Sequence, residues 1–413
     1  MIKLLIIADD YTGSLDTGVQ FAKRGIETYV TSYVKLDMHT IPDDTEVLVV
    51  DAQTRHADPQ EAYQRVYHLV REARQVGIPY LYIKIDSTLR GNIGSYLSAA
   101  LDARDNSCPA ILAPALPSLG RTTIGGKQYV SGQLLGEADI AKDLFNPVRS
   151  SYIPEILLEQ SNHLASCMRP EDLHAEVLQK RKGEILIVDA VSYEDLARIA
   201  RPLIGVSDVI MAGSAGFANT LSEYMDFRRA ERQQLLEAKR VMVLCGSLNS
   251  ISIQQICRAE NEGMPVITLS AEQKKNASYP DSEAGRAFLE AAASCLKNEN
   301  RLALCVASDP TSVIMDSEEV DLHQLVAKNV GRIATDVMCR AQPDTVVIFG
   351  GDTLASFLTE LGVTGISPIK EVFPGGVLSQ ICIAGKKTML ITKAGAFGEQ
   401  DTLVSLLKQF QSI

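Results

Sequence analysis

The sequence predicts an α/β protein of two domains, each with a largely parallel sheet flanked by helices. Three observations predict it. Short apolar runs alternate with helix-patterned segments along most of the chain, as parallel strands with helical crossovers require. Most of those runs break into a polar loop, often with glycine, at their carboxyl end. The alternation changes character once, near 226–240, where Phe227-Arg228-Arg229-Ala230-Glu231-Arg232-Gln233-Gln234 is charged and almost without apolar residues. That stretch suits an interdomain connection, though a solvated helix face would read the same. The expected domains are 1–230 and 240–413.

Residues 4–8 form an Ile-rich run that reads as a buried strand and ends in Asp9-Asp10-Tyr11-Thr12-Gly13. Leu15, Val19 and Ala22 then recur at helical spacing, so a helix starts near Thr12 or Gly13. Asp9 and Asp10 therefore lie at the carboxyl end of the first strand, where ligands bind in open α/β sheets. Adjacent residues leaving a strand point opposite ways, so the two carboxylates divide their duties. One faces a ligand hydroxyl or a cation, and the other braces the turn. The plain alternative is Asp10 as a helix cap and Asp9 as a solvated loop residue.

The strand at 46–50 runs into Asp51-Ala52-Gln53-Thr54-Arg55-His56, and a helix follows from Pro59. The strand at 80–85 ends in Asp86-Ser87-Thr88-Leu89-Arg90-Gly91-Asn92. The strand at 110–114 leads to Leu116-Pro117-Ser118-Leu119-Gly120-Arg121-Thr122-Thr123. Parallel strands bring such loops to one sheet edge, which predicts one site built from Asp9, Asp10, Arg55, Lys84, Asp86, Arg90 and Arg121. Arginine grips carboxylates and phosphates with paired N–H groups, and carboxylates hold sugar hydroxyls. A small acidic polyol fits that mixture, while structural ion pairs across the loops are the competing explanation. The irregular stretch 125–154 is of a length that is usually functional. Strands resume at 184–189 and 208–212.

The second half restarts with a strand at 240–244 that ends in Cys245-Gly246-Ser247. Strands at 266–269 and 302–307 and a long amphipathic helix at 322–339 follow. The strand at 345–349 runs into Gly350-Gly351-Asp352-Thr353, and that at 389–392 into Lys393-Ala394-Gly395-Ala396-Phe397-Gly398. Glycine lets a backbone approach a ligand closely, and the helix N-termini beyond such loops bind phosphate. Three such loops in one domain point to a nucleotide-phosphate cradle, with Thr353 and Ser247 adding hydroxyls. A Walker A loop is absent: five residues before Gly385-Lys386-Lys387-Thr388 stands Gln380, so this segment reads as a turn between strands. No GxGxxG follows the first strand. His56 alone makes no metal site.

Composition narrows the class. Hydrophobic residues are 46% and charged residues 22%, an ordinary globular balance, and the net charge of −11 argues against a nucleic-acid partner. No apolar run is long enough for a membrane span and no signal-peptide pattern opens the chain. The eight cysteines form no CxxC pair and read as buried thiols, which together predict a cytoplasmic location.

Ala8-Asp9-Asp10-Tyr11-Thr12-Gly13, the 86–92 loop, Gly120-Arg121-Thr122-Thr123, Gly350-Gly351-Asp352-Thr353 and the 393–398 loop resemble, in order and over essentially the whole chain, the four-carbon acid sugar kinases. The resemblance implies a sugar-acid-binding N-terminal domain, a nucleotide-binding C-terminal domain, and ATP-dependent phosphorylation of threonate, erythronate or 3-oxo-tetronates. It implies that Asp9, Asp10, Arg55, Lys84 and Arg90 line the acid side, and Ser247, Gly350, Gly351, Asp352, Thr353 and Gly395 the ATP side. The expected chemistry is transfer with ATP and Mg²⁺ in an interdomain cleft. Asp10 or Asp9 acts as base, with Asp10 favoured, and Arg90, Arg55 or Lys84 fixes the acid's carboxylate. Tyr11 and Ala396 depart from the family pattern, replacing a smaller apolar residue and a glycine. The 86–88 loop is more similar to the threonate and erythronate kinases than to the 3-oxo-tetronate branch. The expected partners are the sugar acid and ATP, with a homo-oligomer compatible with the sequence. A non-catalytic sensor of sugar acids or nucleotides would use the same loops.

Overall fold

The computed structural model describes residues 1–142, 146–230, 238–307, 320–393 and 397–411. The chain separates into two compact units, Met1–Glu231 and Arg232–Ile413. Both are α/β, with mostly parallel strands and flanking helices.

The first unit runs β1 (Leu4–Ala8), α1 (Tyr11–Ala22), β2 (Thr28–Ser32), β3 (Val47–Asp51), α2 (Pro59–Gln75), β4 (Tyr80–Lys84), α3 (Ile93–Ala103) and β5 (Ala110–Ala113). A small antiparallel sheet follows: β6 (Arg121–Ile124), β7 (Lys127–Val130) and β8 (Gln133–Leu134). Then come α4 (Ile153–Leu158), β9 (Ala165–Met168), α5 (Ala175–Lys180), β10 (Ile185–Val188), α6 (Tyr193–Ala200), β11 (Ile210–Gly213) and α7 (Ala215–Tyr224). The main strands lie in the order β2-β3-β1-β4-β11-β5-β10-β9, every neighbouring pair parallel. Because β1 is flanked by β3 and β4, the loops that follow these three strands meet at one edge. This is the switch point at which such sheets bind ligands. β1, β3 and β5 are buried along their whole length, as strands covered by helices on both faces must be.

Residues 226–230 pack onto this unit. Phe227 meets Phe21 edge-on with ring centroids 5.7 Å apart, and the Arg228 backbone N–H donates to Glu46 at 2.6 Å. Residues 231–237 of the charged stretch lie outside the described residues.

The second unit runs β12 (Val241–Cys245), α8 (Ser250–Asn261), β13 (Val266–Thr268), α9 (Ala271–Lys275), α10 (Glu283–Glu299), β14 (Arg301–Cys305), α11 (Val320–Ala341), β15 (Thr345–Phe349) and α12 (Gly351–Glu360). It closes with β16 (Ile366–Phe373), β17 (Gly376–Ile383), β18 (Lys386–Lys393) and α13 (Thr402–Gln411). The strand order is β13-β14-β12-β15-β18-β17-β16, parallel through β18 and antiparallel beyond. Ala384 and Gly385 turn β17 into β18 with positive φ, so the Gly385-Lys386 segment is the hairpin turn the sequence suggested. No described helix is long and apolar enough to cross a membrane.

The cysteines correct one expectation. Cys108, Cys245 and Cys305 are buried, but Cys167, Cys339 and Cys382 are exposed. Cys167 lies on the edge strand β9, and Cys382 on the outward side of the antiparallel β17, where alternate residues face away from the core.

Candidate active site

In the first unit the β1–α1 turn is built around Gly13. Asp10, the N-cap of α1, accepts from the Gly13 N–H at 2.5 Å. A β-carbon on Gly13 would lie 2.8 Å from Asp10 Oδ1, 3.1 Å from Lys84 Nζ and 3.7 Å from Asp9 Oδ1. The missing side chain at Gly13 lets three charged groups converge over the start of the helix. The structure gives Asp10 the capping duty of the plain alternative and an ion pair as well, its other oxygen lying 2.5 Å from Arg55 Nη1. Asp9 is not a solvated loop residue: its side chain is fully buried. Arg55 Nε and Nη2 donate to its two oxygens at 2.8 and 2.9 Å, a bidentate pair. The Asp9 carbonyl accepts from the Thr54 and Arg55 N–H groups, which clasps the β1 and β3 loops together. Burial works against the charge of Arg55, but Asp10, Asp9 and Asp86 outweigh it and hold the guanidinium firmly cationic.

The loop after β4 closes the cluster. Burial would raise the pKa of Asp86, yet Arg90 and Arg55 and the Thr88 hydroxyl hold its carboxyl well below the usual range. Arg90 donates to it through Nε at 2.7 Å and Nη2 at 3.3 Å. Leu89 takes a left-handed φ of 59° while buried, and Gly91 follows at 92°. A non-glycine residue in that region costs of order 1–3 kcal/mol and persists only where its surroundings impose it. A β-carbon on Gly91 would stand 3.4 Å from Asp9 Oδ2, so this loop lies against the Asp9–Arg55 pair. Arg121 opens β6, donating through Nη1 to the Leu119 carbonyl at 2.7 Å. Burial lowers its pKa, with Asp86 opposing and Arg90 reinforcing that effect, which ties it electrostatically to the same loop. Its buried Nε has no acceptor among the described residues.

Sequence reasoning passed over three residues here. Asp51, at the end of β3, is buried and accepts from the Gln53 N–H at 2.9 Å. Burial, with Asp10 and Asp9 nearby, pushes its carboxyl well up. Asn92 donates to the Thr54 and Ala57 carbonyls at 3.0 and 2.8 Å, pinning the β4 loop to the β3 loop. Both stood in the polar strand-end runs, the one available signal. Gln128 lay in the irregular stretch, where nothing singled it out. Tyr11 is buried beside Ser32, with burial raising its pKa to about 12. His56 faces Asn146 at 3.1 Å.

In the second unit the β12 and β15 loops touch. A β-carbon on Gly246 would lie 1.7 Å from Thr353 Oγ1, far closer than a non-bonded carbon and oxygen can approach. Gly350 sits at φ 112°, which L side chains avoid, 3.5 Å from the Ser247 nitrogen measured from the same kind of built carbon. Gly351 and the exposed Asp352 open α12, and Thr353 is buried between the two loops. Ser247 accepts from the Asn249 N–H at 3.2 Å, and Asn249 caps α8. α12 thus opens with no side-chain cap on its first-turn N–H groups, beside a backbone stripped of side chains, an arrangement that fits a polyphosphate. Gly395 lies outside the described residues. Lys393, the first residue of the 393–398 loop, is buried at the end of β18. It donates to Ser252 Oγ at 3.1 Å and the Phe397 carbonyl at 2.9 Å, and lies 4.6 Å over the Phe349 ring. Burial lowers its pKa to about 8.

A carboxylate–guanidinium cluster in one unit and a glycine-rich double loop in the other are the features expected of a protein that binds a polar acid and a polyphosphate, and the comparisons with known proteins make the class a phosphotransferase. Residues 4–221 match the family model described as a sugar-binding N-terminal domain, and 242–403 that of a nucleotide-binding C-terminal domain. The chain is 30% identical to the D-threonate kinase of Salmonella typhimurium over 98% of each chain. It is 28% identical to the D-erythronate kinase of Heliobacterium modesticaldum, over 97% of this chain and 95% of that one. With the 3-oxo-tetronate kinase of Pseudomonas savastanoi it shares 24%, over 98% and 96%. The fold recurs in a crystal structure from Salmonella typhimurium LT2, at TM-score 0.82 and 22% identity over 100% of both chains. A Haemophilus influenzae structure gives 0.74 and 20%, over 98% of this chain and all of the other. The chain belongs to the four-carbon acid sugar kinases, ATP-dependent enzymes that phosphorylate acids of that size. That membership sets aside the non-catalytic sensor.

Proposed function

We propose that the enzyme phosphorylates D-threonate or D-erythronate, binding the acid in the first unit and ATP in the second. The observation that carries this reading is the convergence of Asp9, Asp10, Arg55 and Lys84 over Gly13. Such a cluster offers acceptors to several hydroxyls and cations to a carboxylate within one small space. The relatives named threonate and erythronate kinases support the choice of acid, as does the 86–88 loop.

Asp10 is the proposed base. Both carboxylates are engaged, Asp9 by Arg55 and Asp10 by the Gly13 N–H and Arg55, but the Asp9 side chain is fully buried whereas that of Asp10 is 25% exposed and so open to a ligand hydroxyl. Arg121 is the proposed partner of the acid's carboxylate. Arg90 is already gripped by Asp86, while Arg121 keeps a buried donor for a ligand. In the second unit Gly246, Ser247 and Gly350 to Thr353 would cradle the triphosphate. Mg²⁺ would neutralise phosphate charge, held mainly through the nucleotide with Asp352 as the nearby acid. Transfer needs the hydroxyl and the γ-phosphate within about 3–3.5 Å of each other when both substrates are bound.

A coupled ADP-release assay with D-threonate, D-erythronate and 3-oxo-tetronates tests the substrate. Turnover of one of the first two well above the keto acids is expected. Preference for a 3-oxo-tetronate would overturn the assignment.

A further inference from the structure

The small sheet β6–β7–β8 has so far entered the site only through Arg121. Its second strand also carries Gln128, whose side chain is wholly buried and bonded at both ends of its amide. Oε1 accepts from the Thr123 hydroxyl at 2.7 Å, and Nε2 donates to the Ser87 carbonyl at 2.8 Å. A carbonyl can only accept, so the amide nitrogen must be the end that faces Ser87. Thr123 is itself wholly buried, and its backbone exchanges hydrogen bonds with Ala190 at 2.9 and 3.0 Å. Thr123 thus satisfies the far end of the amide, while the bond to Ser87 is the one that reaches the loop.

What it holds is the loop after β4. That loop contains the left-handed Leu89 and Gly91 and lies against Asp9, in a conformation a free chain would avoid. Most of its other ties are internal: Thr88 and Arg90 both bond Asp86, and the Leu89 N–H donates to the Asp86 carbonyl. Asn92 anchors its far end to the β3 loop. Gln128 anchors its near end. Because the peptide is planar and trans, fixing the Ser87 carbonyl also fixes the direction of the Thr88 N–H.

We propose that Gln128 is a positioning residue for the sugar acid, holding the Ser87–Thr88 peptide so that Asp86, Thr88 and Arg90 present one fixed surface to the substrate. This rests on the placing of the acid in the first unit. The small antiparallel sheet is then a wall of the acid site that supplies one ligand-facing cation, Arg121, and one internal brace.

The test is steady-state kinetics of Gln128→Leu, which keeps the bulk and removes both bonds. KM for the preferred acid should rise about ten-fold or more, with KM for ATP within about two-fold of the parent. Thr123→Val keeps the Ser87 contact and should leave the acid KM within about three-fold. Should Gln128→Leu fail to fold, the Thr123→Val/Gln128→Leu double variant, which removes the buried polar pair together, replaces it with the same expectation. An unchanged acid KM in a folded variant overturns the proposal. So does an equal rise in both KM values, or a Thr123→Val effect as large as that of Gln128→Leu, since either marks general packing damage. Arg55→Ala run alongside separates the two levels. If it too leaves the acid KM unchanged, the acid does not bind in this unit and both readings fall. If it raises that KM and Gln128→Leu does not, only the role of Gln128 falls.

Discussion

Arg55 reaches across from the β3 loop and holds both carboxylate oxygens of Asp9, at 2.8 and 2.9 Å. With Asp9 committed in this way, Asp9→Asn and Asp10→Asn should fail differently. Asp10→Asn keeps the shape of the cap but cannot accept the proton, so kcat should fall by about 10²–10⁴ with ATP affinity little changed. Asp9→Asn releases one side of a buried pair and should reduce thermal stability as well as activity. Wild-type kcat in Asp10→Asn would remove it as the base.

Gly13→Ala adds a single methyl that no helix rule forbids. Here it would stand 2.8 Å from Asp10 Oδ1 and 3.1 Å from Lys84 Nζ. We expect kcat/KM for the acid to drop at least about a hundred-fold, while circular dichroism and Tm show a folded protein. An active Gly13→Ala enzyme would show that the cluster tolerates being spread apart.

For the nucleotide, the sensitive position is Gly246. Its substitution by Ala drives a carbon into Thr353 and must part the β12 and β15 loops. Calorimetric titration should show ATP binding weakened by about ten-fold or more with the acid site intact. Binding equal to the parent would exclude these loops from the cradle.

Arg121→Met should raise KM for the acid by about ten-fold to a hundred-fold, the range of a lost charged hydrogen-bonding contact. Arg90→Ala, by contrast, should act through the loop: freeing Asp86 from its partner lowers stability along with affinity. If Arg90→Ala gives the pure KM effect and Arg121→Met does not, the two arginines exchange roles.

Lys393 makes a pH-dependent prediction. Folded, its pKa is about 8; unfolded, it titrates near about 10.4. Between those values the unfolded chain holds more protons, so this residue's contribution to stability rises with pH. Below that window both states are charged and the cost of burial is felt in full. The Tm of Lys393→Met relative to the parent should therefore be highest near pH ~7 and decline towards pH ~10. A constant offset would show that the ammonium does not titrate in that range.

Much of the fold around both candidate sites was legible because parallel strands end where ligands bind. An apolar run that breaks into Asp9-Asp10 or Gly350-Gly351 announces its own position. What the chain could not announce is how charges pair. Asp86 and Arg90 stand four residues apart, and so do many surface pairs; only the fold shows that this pair is closed, with Arg90 held by the Asp86 carboxylate. Gln128 was illegible because an amide in a short antiparallel strand looks like solvent-facing polarity until its burial is known. The strand Ile366–Phe373 was missed for a related reason: Pro368 sits inside it, and a proline demotes a run unless the strand is irregular there, as the register shift after Pro368 shows. Lys393 closes an apolar run, where a lysine ordinarily marks the exit to water.

The strand order of the first unit has a further consequence for how the protein is made. β1 leaves the ribosome first, but β11, among the last strands of its unit, fills the gap between β4 and β5. Until residues 210–213 are available, the sheet is two separate pieces, and the Ile85 N–H that steadies the root of the acid loop lacks its acceptor, the Gly213 carbonyl. The unit therefore cannot mature strand by strand. Its apolar edges wait for a distant segment, contacts of long sequence separation form late, and a chain stopped before β11 would carry two open sheet edges ready for self-association.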